Sequence, residues 1–318
     1  MAFVKNAEET SLKKFFALLF ITLILCSCGS ESAVNSLPDE KNKLSIITTL
    51  FPQYDFVRQI AGNKVNVTLL LPPGTNSHIF EPNPHDIIKI NNADLFVYTG
   101  DTMETWAGKI IKGLDKNVDI LDLSEKIPFD ENEEEEEHDG HVHTIDPHFF
   151  TNLKFSQLAV REITAVLCEK DSENSSFYEK NADEYIEKLE SLDQSFRAAI
   201  YEGSKKEIVF GGRFAFHYFT EEYGISYISA YDGCGTGAEP SIKRISEIVS
   251  AVKENDIKVI YYEELVDPKI AKSIAGQTGT EIMLMHTCHN ISKEDFDNGK
   301  TYLDFMTNNL EVLKEGLK

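Results

Sequence analysis

From residue 44 onward, short apolar runs alternate with stretches of helical periodicity. Residues 44–50 (LSIITTL) are rich in β-branched side chains and run up to Pro52, the pattern of a buried strand. Residues 53–61 place Phe56, Val57 and Ile60 on one helical face, and Gly62 follows as a stop. Residues 65–71 read as a second strand closed by Pro72-Pro73-Gly74, residues 83–92 as a helix, and residues 94–99 (DLFVYT) as a third strand. A helix over 103–114 and a fourth strand over 118–123 complete the first half. Strands alternating with helices of about ten residues imply a parallel α/β sheet.

The middle of the chain reads differently. Residues 152–169 are helical, and residues 175–201 form one long helix with Tyr185, Leu189, Leu192, Phe196 and Ala199 on a continuous apolar stripe. At about 1.5 Å per residue this rod spans roughly 40 Å, which suits a bridge between two lobes. The strand–helix alternation then resumes. Strands are expected at 207–211, 226–231, 258–262 and 281–285, with helices at 214–223, 241–255, 267–278 and 302–317. The predicted fold is α/β: two lobes, each a four-stranded, mainly parallel sheet with flanking helices, joined by one long rigid helix. The lobes are expected at 44–172 and 204–318, with the linking helix at 173–203. No internal repeat is visible residue by residue.

The chain has 318 residues, 42% hydrophobic and 10% aromatic, enough for two cored lobes. The formal net charge of -22 argues against nucleic acid as a partner, because phosphates would be repelled. Lys13-Lys14 and the apolar stretch 15–25 form a signal sequence too short to span a membrane comfortably. It runs into Leu25-Cys26-Ser27-Cys28-Gly29, which resembles a bacterial lipobox. Residues 1–27 are therefore expected to be removed, Cys28 to carry a lipid, and 28–43 to act as a tether on the outer face of the cell membrane. Disulfides are possible there. Cys168 falls in a helical pattern, whereas Cys234 and Cys288 fall in loops, and a Cys234–Cys288 bridge is expected.

The candidate chemistry lies at predicted strand ends, where ligands sit in open parallel sheets. An acidic, histidine-rich loop at 130–145 carries six glutamates between residues 131 and 137, then His138, His141 and His143, a weak auxiliary metal-collecting segment. His148 follows it, with Asp146 close enough to orient a ring N–H. His78 follows strand two in a loop stiffened by proline. His286 and His289 follow the last strand, and Glu263-Glu264 its neighbour. His217 and His85 read as packed or surface residues. If the lobes face each other, two imidazoles from the first and one or two from the second converge, with Glu263 or Glu264 completing or tuning the site. The imidazole count favours Zn2+, with Mn2+ as the alternative. The chain has no His-Glu-x-x-His helix, which weighs against a metallohydrolase.

Several motifs occur in a specific order: Thr48-Thr49 with Pro52, Pro72-Pro73-Gly74 through His78-Ile79-Phe80-Glu81-Pro82, Ala93-Asp94-Leu95, and Asp146-Pro147-His148-Phe149. They continue with Tyr178-x-x-Asn181, Phe214-Ala215-Phe216-x-Tyr218-Phe219, Glu239-Pro240-Ser241 and Tyr302-Leu303-x-x-Met306. In this order they resemble the zinc- and manganese-binding solute-binding proteins of ABC importers. The resemblance implies a non-enzymatic receptor, a monomer, that hands Zn2+ to a membrane permease driven by an ATPase. A metal-containing surface adhesin is the rival class. His78 and His148 match the two first-lobe ligands of the family. The usual third histidine falls on Arg213, which cannot ligate a cation. The family's late carboxylate ligand falls near the 286–289 segment. His286 is therefore expected to replace the lost ligation, with His289, Glu263 or water in the fourth place.

Overall fold

The computed structural model describes residues 43–115, 117–129, 146–231 and 239–318. The signal segment 1–27, Cys28, nearly all of the tether, the acidic loop with His138, His141 and His143, and Cys234 lie outside these residues.

The first sheet contains β1 (Ser45–Thr48), β2 (Asn66–Leu69), β3 (Leu95–Tyr98) and β4 (Asp119–Asp122), all parallel, in the order β2-β1-β3-β4. The helices between them are α1 (Phe51–Ala61), α2 (Pro84–Asn91) and α3 (Ala107–Ile111). Helix α4 (Leu153–Lys170) leads into α5 (Ser175–Glu202), the long helix, whose 28 residues span about 42 Å. The second sheet repeats the arrangement: β5 (Glu207–Phe210), β6 (Ser226–Ser229), β7 (Val259–Tyr262) and β8 (Glu281–Leu284), all parallel, in the order β6-β5-β7-β8. Its helices are α6 (His217–Tyr223), α7 (Ile242–Glu254), α8 (Lys269–Thr278), α9 (Lys293–Asp297) and α10 (Tyr302–Gly316).

Strand alternation divides the core. Ile46, Leu95 and Val97 point to one face of the first sheet, and Ile47, Phe96 and Tyr98 to the other, as a period of two requires. The second sheet does the same with Ile208, Phe210 and Tyr261 on one face and Val209 and Ile260 on the other. The outer faces form separate small cores. The inner faces merge through α5 into a single core that belongs to both lobes. The stripe of Tyr185, Leu189, Leu192, Phe196 and Ala199 is buried in it. Residues 43–318 accordingly form one compact unit.

The last helix fastens this arrangement. At the start of α10 the Tyr302 backbone N–H donates to Asp55 on α1 at 2.9 Å, and the Tyr302 hydroxyl donates to the Phe150 carbonyl at 2.6 Å. Burial pushes the Asp55 carboxyl up, against the opposing pull of the Tyr302 N–H, Gln59 and Arg58.

Three elements differ from expectation. Helix α3 is much shorter than 103–114, because residues 100–104 form a turn in which Glu104 accepts from the Thr99 and Gly100 N–H groups. Helix α6 begins at His217 and not at 214, because Phe214, Ala215 and Phe216 enter the core in non-helical backbone. Helix α9, capped by the Ser292 side chain, was not anticipated. Among the described residues no helix is long and apolar enough to cross a membrane.

Candidate metal centre

His78 sits in a single 3-10 turn, Ser77–Ile79, beyond the carboxyl end of β2. The loop before it turns at Gly74, whose φ of +86° suits glycine. The Asn76 side chain accepts from the His78 backbone N–H at 2.9 Å and starts the turn. The His78 Nε2 is buried with no hydrogen-bond partner. A lone pair kept dry and unpaired is costly unless something binds it.

His148 is fully buried and precedes the 3-10 turn Phe149–Thr151 that leads into α4. Asp146 Oδ1 accepts from both the His148 backbone N–H, at 2.8 Å, and the ring Nδ1, at 2.7 Å. With the proton held on Nδ1, the Nε2 lone pair is the one left for a metal. Burial would raise the Asp146 carboxyl, but His148, with a smaller contribution from His217, outweighs it and holds the group below its usual range.

The second-lobe contribution comes from the loop after β8. Thr287 donates its hydroxyl to Glu264 Oε1 at 2.6 Å and its backbone N–H to Glu264 Oε2 at 2.9 Å. The same hydroxyl lies 2.8 Å from His289 Nδ1. Asn290 reaches across to the first lobe, donating to the Pro72 and Thr75 carbonyls, and the Gly74 N–H donates to the Ile291 carbonyl at 2.8 Å.

These loops bring three imidazoles together. The ring centroids of His78, His148 and His289 are 5.5, 5.5 and 5.7 Å apart, nearly an equilateral triangle with one corner from the second lobe. Each offers a nitrogen within 4.8 Å of the other two. Burial, with the neighbouring His148, His78 and His286 rings, drives His289 down to about 3 despite the Glu264 carboxylate. It is neutral, and so ligand-ready, far below neutral pH.

His286 is elsewhere. Its ring stacks on Phe305 with centroids 3.9 Å apart, and its Nδ1 accepts from the Cys288 backbone N–H at 3.0 Å. Asn309 on α10 clamps its backbone from both sides, accepting from His286 N–H at 2.7 Å and donating to its carbonyl at 2.8 Å. The ring is committed to packing and is not one of the three that converge. Glu263, the alternative ligand, is also outside that group. Its carboxylate lies against Gly212, where a Cβ would overlap it, and the Arg213 backbone helps hold it there. The Arg213 guanidinium lies over the Tyr231 ring, 5.2 Å from its centroid. Of the expected Cys234–Cys288 bridge, Cys234 lies outside the described residues. Cys288 is a buried free thiol, held in left-handed backbone at φ +67° and packed into the shared core. Cys168 is also free, partly buried on α4.

Residues 46–316 match the family model described as ZnuA, zinc-uptake complex component A, periplasmic. The chain belongs to the ZnuA family. It is 35% identical over 315 residues to the high-affinity zinc uptake system protein ZnuA of Bacillus subtilis, covering 96% of this chain and 98% of that one. It is 33% identical over 313 residues to the zinc-binding lipoprotein AdcA of Streptococcus pneumoniae, covering 96% of this chain but 61% of AdcA. The crystal structure of the Zn(II)-bound ZnuA-like domain of that AdcA superposes with a TM-score of 0.73 at 32% identity, over 86% of this chain and 99% of the domain. ZnuA is a component of metal uptake and not a class of enzymes. The two-lobe fold joined by a long helix is thus the ZnuA-family fold, with the three-histidine triangle at the meeting of its lobes.

Proposed function

We propose that this protein is the extracytoplasmic zinc receptor of an ABC importer, and that His78, His148 and His289 hold the ion. The convergence of three imidazoles, two from one lobe and one from the other, carries this reading. Zinc–nitrogen bonds of about 2.0 Å require the nitrogens to lie about 3.3 Å apart in a tetrahedron, within reach of small ring rotations. A solvent molecule takes the fourth place. A set of three nitrogens favours Zn2+ over Mn2+, which prefers oxygen ligands. No turnover is proposed: the ion is cargo, captured here and passed to a permease driven by its ATPase. The receptor is held to the outer face of the membrane by lipid on Cys28 and works as a monomer.

Elemental analysis of purified protein tests the central claim. One zinc per chain is expected, retained against a large excess of Mn2+. Preferential loading with manganese, or loading unaffected by His289→Ala, would reject it. Fatty-acid labelling lost in Cys28→Ala tests the anchor.

A further inference from the structure

The loop 286–289 carries a device that the ligand triangle does not by itself explain. Glu264 is buried just beyond the end of β7. Both oxygens are taken by Thr287, one by its hydroxyl and one by its backbone N–H. A threonine hydroxyl has one proton, and at 2.6 Å that proton is given to the carboxylate. Toward His289 Nδ1, 2.8 Å away, the same oxygen can then only accept. The imidazole proton is thereby fixed on Nδ1, which leaves the lone pair on Nε2, 3.9 Å from Glu264 Oε1, as the one able to bind a metal. Asp146 does the same for His148 in one step, through Oδ1 at 2.7 Å from Nδ1.

We propose that Glu264 and Thr287 are positioning residues for zinc: a carboxylate–hydroxyl–imidazole relay that sets the tautomer and orientation of His289 from outside the ligand set. The inference rests on the ligand assignment above and goes beyond it. It also accounts for charge. Three neutral rings leave the two positive charges of the ion uncompensated in a buried site. Asp146 and Glu264, each one step outside the rings, supply two negative charges. The two Thr287 donors, at 2.6 and 2.9 Å, favour the ionised form of Glu264. In this proposal the carboxylate acts through Thr287 and His289 and lies outside the ligand set.

The test is a competition titration of zinc against a fluorescent chelator, on the full mature protein, with Thr287→Val, Thr287→Ser, Glu264→Gln and His289→Ala side by side. Loss of such outer partners typically weakens metal binding by about 10- to 100-fold. Thr287→Val and Glu264→Gln are each expected to fall in that range, and Thr287→Ser, which keeps the hydroxyl, to stay within about threefold of the parent. A role that rests on packing of the Thr287 methyl group would not be rescued by serine. The Co2+-loaded proteins give a second readout. Because Glu264 is outside the ligand set, Glu264→Gln should retain the intensity of the parent's visible d–d bands, the mark of an unchanged ligand count. Wild-type zinc affinity in Thr287→Val, failure of serine to rescue, or altered d–d intensity in Glu264→Gln overturns the relay. If His289→Ala itself binds zinc normally, the ligand assignment falls. If His289→Ala loses zinc while Thr287→Val keeps it, only the relay falls.

Discussion

His78 and His289 stand 5.5 Å apart, centroid to centroid, although they follow strands in different sheets. Their loops are joined by backbone. Gly74 donates to Ile291 at 2.8 Å, and the Asn290 side chain donates to the Pro72 and Thr75 carbonyls. The two edges of the proposed metal site are thus hydrogen-bonded to each other through their own loops.

This seam should govern release. Asn290→Ala removes the side-chain half of it, at a net cost of about 1 kcal/mol per hydrogen bond. Zinc dissociation into excess chelator, followed by stopped flow, is expected to become about tenfold faster. An unchanged rate would mean that other contacts hold the loops.

The two histidines of the last loop should separate cleanly. His289→Ala is expected to lower zinc affinity by at least about 100-fold, as for loss of one of three ligands. His286→Ala should keep one zinc per chain but lose stability, because the Cys288 N–H loses its acceptor and Phe305 its stacking partner. A buried donor left unsatisfied costs about 1–3 kcal/mol. Calorimetry with and without zinc reads both effects, and the reverse pattern would restore His286 as a ligand.

Apo-protein stability should depend on pH through His289. Its folded-state value is about 3 against an ordinary 6.5, so the unfolded chain takes up the proton first. Stability is therefore full above pH 6.5 and declines as pH falls toward 3. Between pH 6.5 and 5 this amounts to about 2 kcal/mol. His286, lowered by burial, adds in the same direction. The slope of stability against pH over that window should shrink in His289→Gln, and an identical slope would contradict the assignment.

The Cys288 thiol should be inert. It is fully buried, and burial pushes its ionisation well up, which suppresses the reactive thiolate. A thiol reagent is expected to modify it only after denaturation, and dithiothreitol to leave zinc affinity unchanged. A Cys234–Cys288 peptide recovered from a non-reduced digest would overturn this.

Periodicity gave the architecture well, because strands and helices in a parallel α/β fold carry strong local patterns. All eight strands fall within the stretches expected for them, and α5 differs from its expected end by one residue. The sites were legible only in part. His78 and His148 follow strands in loops shaped by proline and by Asp146, which are local signals. Choosing between His286 and His289 was not a local problem. His286 is held out of the proposed site by Phe305 and Asn309 on α10, and His289 is linked through Thr287 to Glu264 just past β7. Cys288 likewise reads as a loop residue but packs into the core shared by both lobes. Asn290, which reaches the opposite lobe, carries no sequence signal that would single it out.

That shared core has a consequence for dosage. With α5 running through it and Tyr302 fastened to Asp55, the lobes have little freedom to swing. A permease should then meet nearly the same outline on the empty and the loaded receptor. Empty copies should occupy the same docking surface as loaded ones. In a cell short of zinc, making more receptor would therefore raise capture and, past some level, slow import by crowding the gate with empty carriers.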